Sequence, residues 1–320
     1  MAKTKDERLS AKRQLLLARS ALAWDVDQSE ALRLLRIGRC QSVRVNTLAT
    51  GVDTAISQLR KLGWRGAQYA WCPEGLSIDV GLEAVRDSQL ASAGQVYIQN
   101  AASWLPVLAL DPRPNETILD VCAAPGGKTS HIAAAANNQV SITANDNSRP
   151  RLSRLRANMQ RMGVDHIKYT LFDATQLGRR LDGQLFDKIL LDAPCSGEGM
   201  LRYDSNADFA TWSVAQIKRL QQLQKRLIVQ AWRLLKPGGR LVYSTCTIAP
   251  EENEAVVDYV LRRYPDAVVQ RPAIESELPL AKPLLRWGSR TYDSRVGQTL
   301  RVVPDTSLEA FYVAQLQKPS

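Results

Sequence analysis

From Thr117 onward the chain alternates short apolar runs with amphipathic stretches, a pattern that few architectures accommodate. Strands are expected at 117–122, 139–145, 166–172, 186–192 and 239–245, with helices near 127–136, 149–162, 211–235 and 251–263 between them. Runs such as Ile189-Leu190-Leu191 and Leu241-Val242-Tyr243 lack polar alternation, as strands buried on both faces do. The pattern predicts a doubly wound, Rossmann-like α/β domain with a mostly parallel sheet and right-handed crossovers. Leu300–Pro304 and Phe311–Leu316 are expected to close that sheet as an antiparallel pair at its edge.

Upstream, residues 5–36 read as one or two helices with Leu15, Leu16, Leu17, Leu22, Leu32 and Leu35 on an apolar face. Ser42–Leu48 alternates like a strand, Thr54–Leu62 reads as a helix, and Leu76–Val80 as a strand reached through a turn at Gly63. A helix over Ser103–Leu110 ends before Pro112 and Pro114. The expected organisation is a helical segment at 1–35, a small α+β module at 36–92 and a large domain at 93–320.

Lys+Arg 42 against Asp+Glu 32 leaves a net charge of +10, which favours a polyanionic partner. The five cysteines include no Cys-x-x-Cys pair, and His131 and His166 are the two histidines, so neither a zinc site nor a disulfide scaffold is expected. Cys40, Cys72 and Cys122 read as small buried thiols. The N-terminal stretch is charged and lacks the apolar core of a signal peptide, and no run approaches the roughly 18 apolar residues that span a bilayer. A cytoplasmic monomer with no membrane and no metal partner is the expectation.

Two loops carry the features of a site. In Ile118-Leu-Asp-Val-Cys-Ala-Ala-Pro-Gly-Gly-Lys-Thr-Ser130 a strand meets a helix through small residues: Ala123, Ala124, Pro125, Gly126 and Gly127 follow Cys122 and precede Lys128. The phosphate-binding pattern fails, because Cys122 stands where its first glycine belongs, and Gly-x-Gly-x-x-Gly is absent. A nucleoside cofactor remains, with Asp146 at the next strand end for ribose hydroxyls and Asp173 at the third for a base edge. The alternative is that both acids merely cap the turns that follow them. The second feature is a pair of thiols: Cys195 and Cys246 each sit just beyond an apolar run, so both face the crevice at the carboxyl ends of the strands.

Leu191-Asp-Ala-Pro-Cys-Ser-Gly-Glu-Gly-Met200 and Tyr243-Ser-Thr-Cys-Thr-Ile-Ala-Pro-Glu-Glu-Asn-Glu254, taken with the Cys122–Ser130 loop, resemble the motifs of the RsmB/NOL1/NSUN family of RNA (cytosine-5) methyltransferases. The resemblance extends to Ser42–Leu48, Tyr97–Ser103 and Phe311–Ala314, and so covers nearly the whole chain. Ala70–Gly75 and Gly197–Met200 look closest to the bacterial 16S rRNA branch of the RsmF type. The resemblance implies a class I methyltransferase fold using S-adenosylmethionine, with Asp120 near the amino end of that cofactor and Arg151 following Asp146 in the cofactor motif. It implies Cys246 as nucleophile toward C6 of cytosine, Cys195 in product release, Asp192 at N3 and the exocyclic amine, and Lys128 as electrostatic support.

The resemblance also implies that the 36–92 module binds RNA, with Arg44 and Asn46 its most recognisable residues; Arg202 joins them as an RNA contact, and Lys218 and Arg219 are further basic candidates. The expected substrate is 16S rRNA, with the small ribosomal subunit as a partner; tRNA and a non-catalytic ribosome-assembly role are the alternatives. Ala310-Phe-Tyr312 replaces the family's Gly-Phe-Phe, and the long C-terminal extension of the RsmF type and the NusB-like leader of another branch are not expected in this chain.

Overall fold

The computed structural model describes residues 4–38, 41–274 and 278–320, so Cys40 lies outside the described residues. The first helices are α1 (Lys5–Trp24) and α2 (Gln28–Leu35). Thr4 opens α1 with a capping box, its hydroxyl accepting from the Glu7 amide at 3.2 Å while its own amide donates to Glu7 at 2.7 Å. Leu16, Trp24 and Leu34 pack against Phe209, Trp212 and Ile248 of the large domain. Arg19 adds a bidentate bond to Glu251 at 2.7 and 3.1 Å, so the helical segment is docked rather than extended.

The small module comprises β1 (Ser42–Val45), α3 (Val52–Lys61), β2 (Gln68–Tyr69), β3 (Cys72–Ser77), α4 (Leu82–Arg86), α5 (Gln89–Ser92) and β4 (Val96–Ile98). Its strands form an antiparallel sheet in the order β2-β3-β1-β4. Alternation along β1 sends Val43 and Val45 into a core with Ala55, Leu59, Trp64 and Leu76. β3 begins at Cys72, earlier than the strand expected at 76–80, and runs through Pro73 and Gly75. Gly75 stays in the strand because the Trp104 ring lies against it, 2.2 Å from where a Cβ would be. The fourth strand, β4, falls beyond residue 92, on the far side of the expected module boundary.

The large domain continues with α6 (Leu105–Leu110), β5 (Thr117–Asp120), α7 (Gly127–Ala135), β6 (Ser141–Asn145), α8 (Arg149–Arg161), β7 (Ile167–Thr170), α9 (Leu177–Arg180) and β8 (Phe186–Asp192). Then come α10 (Asn206–Thr211), α11 (Val214–Leu234), β9 (Leu235–Thr245), α12 (Glu254–Arg263), β10 (Val268–Gln270), β11 (Leu280–Ala281), the ribbon β12 (Arg286–Trp287) and β13 (Arg290–Thr291), β14 (Leu300–Val302) and β15 (Phe311–Gln317). The nine-stranded sheet has the order β11-β14-β15-β9-β8-β5-β6-β7, with β10 also on β15. The five strands from β9 to β7 are parallel and the rest antiparallel. The tail pair is antiparallel as expected but is not the edge: β10 and β11 lie outside it, and these are too short to announce themselves by period.

Successive residues of the central strands face opposite layers. Ile118, Leu190 and Val242 share one core with Leu105, Ile132 and Leu155, whereas Leu119, Ile189, Leu191, Leu241 and Tyr243 meet Leu227, Ile228 and Val256 on the other side. Each fully buried aliphatic side chain contributes roughly 1.5–3 kcal/mol, so the two layers hold the strand ends rigidly. The chain leaves β5 toward β6 on one side while β8 pairs on the other, placing the topological switch at the carboxyl ends of β5 and β8. Among the described residues no helix is long and apolar enough to cross a membrane.

Candidate active site

Three loops meet at that switch point, one from each of the adjacent strands β5, β8 and β9. The first is the small-residue turn. Gly126 takes φ 107°, and a Cβ there would lie 2.6 Å from Met159 and 2.7 Å from Leu155, so the turn presses closely onto α8. The turn delivers Gly127 to the N-terminus of α7, where amide groups are free of intrahelical partners. Cys122, Ala123, Ala124, Pro125, Gly127 and Lys128 line a cavity of about 250 Å³ with Asp120 and Asp192. Tyr97, Gln99 and Ser103 close its other side. The Tyr97–Ser103 stretch stood out in sequence, but a role at the cavity follows only once β4 pairs with β1.

The acids differ in state. Asp120 is 1% exposed and accepts the Thr129 hydroxyl at 2.7 Å. Burial, with the nearby Asp192 charge adding, pushes its carboxyl up to about 7. Asp192 pairs with Lys128 at 2.7 Å and accepts the Ser244 hydroxyl at 2.8 Å. Burial opposes the Lys128 charge, yet Asp192 and Cys246 hold its pKa above the usual lysine value. Asp146 is buried at the end of β6, accepting from the Ser148 amide at 2.9 Å and facing Arg151 at 3.5 Å. Arg151 in turn donates to the Ala124 carbonyl at 2.5 Å, tying β6 to the turn. Asp173 is exposed at the end of β7 and accepts the Thr175 amide and hydroxyl at 2.9 and 2.8 Å, while the cavity lining does not include it.

The second and third loops bring the thiols together: Cys195 Sγ lies 3.3 Å from Cys246 Sγ. The parallel register pairs Asp192 with Ser244, so the two chains leave the sheet side by side. The residues that follow the cysteines are bonded to each other, Ser196 Oγ to Thr247 Oγ1 at 2.8 Å, and the Gly199 amide donates to the Cys246 carbonyl at 3.0 Å. Cys195 is pushed well above the ordinary thiol value by its hydrogen bond to Cys246, by burial and by the charge of Cys246. Cys195 is therefore the thiol of the pair that holds its proton more firmly. Two buried glutamates stand behind these loops. Glu198 accepts from Trp212 and Thr247 at 2.9 and 3.0 Å, and Glu252 accepts the Ser196 amide at 3.0 Å. Burial pushes Glu252 up to about 7.

The expected RNA contacts fare differently. Arg44 and Asn46 are fully buried, which corrects their reading as an RNA surface. Arg44 donates to Ser130 Oγ at 2.8 Å, and Asn46 Nδ2 donates to the Gly94 and Met162 carbonyls at 2.8 Å each. Both fasten the small module to the large domain. Arg202 is exposed and paired with Asp208 at 3.0 Å; it lines a separate cavity of about 360 Å³ beside α2 that includes neither thiol. Lys218 and Arg219 are exposed on α11.

A family described as 16S rRNA methyltransferase RsmB/F matches residues 107–317. The chain is 44% identical over 230 residues to the tRNA (cytosine(49)-C(5))-methyltransferase of Pyrococcus abyssi, covering 71% of this chain and 72% of that protein. It is 42% identical over 293 residues to ribosomal RNA small subunit methyltransferase F of Cronobacter sakazakii, covering 88% of this chain but 58% of the relative, so it spans less than two thirds of that protein. The crystal structure of a methyltransferase homolog protein from Pyrococcus horikoshii superposes with a TM-score of 0.77 at 30% identity, covering 95% of this chain and 98% of the other. NSun6 from the same organism shares the fold, with a TM-score of 0.79 at 23% identity. With its small-residue turn, its paired thiols and these relatives, the chain belongs to the RsmB/F family of S-adenosylmethionine-dependent methyltransferases.

Proposed function

We propose that the chain is an RNA (cytosine-5) methyltransferase that works through a covalent bond between Cys246 and C6 of the target base, with 16S rRNA in the small ribosomal subunit as its substrate in the cytoplasm. The carrying observation is the pair of thiols at 3.3 Å, delivered by adjacent parallel strands beside the cavity at the β5 turn. The donor set there suits a cationic nucleoside cofactor: Asp120 and Asp192 offer carboxylates and the turn admits close backbone approach, while Asp146 stands outside the cavity lining at the end of the neighbouring β6. Bound S-adenosylmethionine supplies an electrophilic methyl group.

C5 of cytosine is too weak a nucleophile to take that methyl unaided. Addition of the Cys246 thiolate to C6 moves the ring electrons toward N3 and leaves C5 enamine-like. Asp192, fixed by Lys128 and Ser244, accepts the exocyclic amine, and the Lys128 ammonium balances the charge arriving at N3. While Cys246 is a thiolate its charge keeps the proton on Cys195. Once Cys246 is bonded to C6 that charge is gone, and Cys195 gives its proton to solvent more readily. Its thiolate then removes H5, the C5–C6 double bond reforms and the Cys246 thiolate departs.

Cys246→Ala is expected to abolish methyl transfer. Cys195→Ala is expected to accumulate a methyl-labelled protein–RNA adduct on denaturing gels, and product formed freely with no adduct would overturn the release role. Bisulfite mapping of RNA from cells with and without the gene locates the mark. The 44% identity to the P. abyssi protein favours a second reading, tRNA as substrate, which a mark in tRNA with none in rRNA would select.

A further inference from the structure

The backbone on both sides of Cys195 is gripped by two buried side chains that the methyl-transfer chemistry leaves without a role. Gln224, reaching in from α11, donates Nε2 to the Pro194 carbonyl at 2.9 Å and to Glu252 Oε2 at 2.7 Å. The same carboxylate oxygen accepts the Ser196 amide at 3.0 Å. Two acceptors on Nε2 fix the orientation of the Gln224 amide. Glu252 is itself placed from β9, the strand that leads into Cys246, because the Tyr243 hydroxyl donates to its backbone carbonyl at 2.5 Å. Gln224 and Glu252 are both 0% exposed.

The pair is costly as a stabilising device. Among the described residues Gln224 Oε1 and Glu252 Oε1 have no hydrogen-bond partner, and an orphaned buried oxygen is destabilising. A core built only for stability would place apolar side chains here. What the pair secures is local. It pins residue 194 and residue 196, and therefore the direction in which the Cys195 side chain leaves the loop, relative to the strand that ends in Cys246.

We propose that Glu252 and Gln224 are positioning residues for Cys195, clamping the Pro194–Ser196 loop so that its thiol faces Cys246 and the substrate C5 position during release. The proposal rests on the release role given to Cys195 above. Misplacing a reacting group by about an ångström costs roughly 100-fold, so loosening the clamp should act on release far more than on the first methyl transfer.

The test uses the full chain, methyl-labelled S-adenosylmethionine and total RNA from cells lacking the gene. Glu252→Ala and Gln224→Met are expected to slow release roughly 10- to 100-fold and to accumulate adduct, with first-turnover labelling reduced much less. Glu252→Gln keeps an acceptor oxygen for Ser196 and is expected to restore release. Disulfide formation between Cys195 and Cys246 under diamide reads the clamp without RNA, and should slow in Glu252→Ala and Gln224→Met but not in Glu252→Gln. Wild-type release in a folded Glu252→Ala or Gln224→Met overturns the proposal. Adduct in Glu252→Gln equal to that in Glu252→Ala also overturns it, in favour of a proton acceptor at this position. If Glu252→Ala does not fold, Gln224→Met decides alone. Cys195→Ala serves as the control: adduct there with none in the clamp variants defeats only the clamp, whereas no adduct in Cys195→Ala defeats the release role and the clamp with it.

Discussion

Asp120 shows how the fold sets the charge state of an acid at the cavity. It closes β5 inside the cavity, and burial keeps its carboxyl protonated up to about pH 7. A cationic ligand entering beside it favours the carboxylate, so binding and loss of that proton are linked. Below pH 7 the ligand must displace the proton; above it the carboxylate is already present. S-adenosylmethionine affinity should therefore tighten about tenfold for each pH unit below 7 that is recovered, levelling above it. In Asp120→Asn that dependence should vanish, leaving only the titration of the ligand itself. Calorimetric titration of both proteins between pH 5.5 and 8 checks this, and parallel profiles would defeat it. That Cys195 and Cys246 share one crevice was legible in sequence, because each follows an apolar run that reads as a strand, whereas Asp192 and Lys128 entered only through the family resemblance. Glu252 and Gln224 were not legible, since their meeting depends on α11 crossing a loop 28 residues away.

At the scale of elements, β1 explains both a correct reading and a mistaken one. Its alternation announces a strand with Val43 and Val45 inward. The same alternation puts Arg44 and Asn46 on the opposite face, which in an isolated module would be solvent and a natural place for RNA. That face instead lies against α7 and the end of α8, where Arg44 meets Ser130 and Asn46 meets the carbonyls of Gly94 and Met162. Periodicity specifies which residues share a face, not what covers it. Asn46→Ala strands two buried carbonyls and is expected to lower stability by about 2–4 kcal/mol, measured by urea unfolding. RNA affinity of the remaining folded protein should be little changed; a selective loss of RNA binding at full stability would restore Asn46 to the RNA surface.

Across the whole molecule, the joint between the small module and the large domain is a buried polar cluster. Glu74 of β3 accepts from His131 of α7 at 2.8 Å, with the Arg44 guanidinium and the Cys72 thiol beside them. Burial and the Arg44 charge push His131 down to about 4, so it is neutral at pH 7. Burial disfavours the Glu74 carboxylate, but His131 and Arg44 together hold it down to about 2. Both shifts act in one direction. Between the unfolded histidine value of about 6.5 and pH 4, the unfolded chain binds a proton that folded His131 refuses, so stability falls as pH drops through that window. The Glu74 contribution is present above its unfolded value and is lost only as pH falls toward 2. A shift from 6.5 to about 4 corresponds to on the order of 3 kcal/mol by pH 4. Asp120 and Glu252, raised to about 7, oppose this trend, because their buried neutral forms are favoured in acid. The informative quantity is therefore the difference between wild type and His131→Gln. Urea unfolding at pH 7 and pH 4 should show the wild type losing on the order of 3 kcal/mol more than the variant over that interval. Equal losses would mean that His131 takes up its proton in the folded joint, and that Glu74 rather than Arg44 sets its charge.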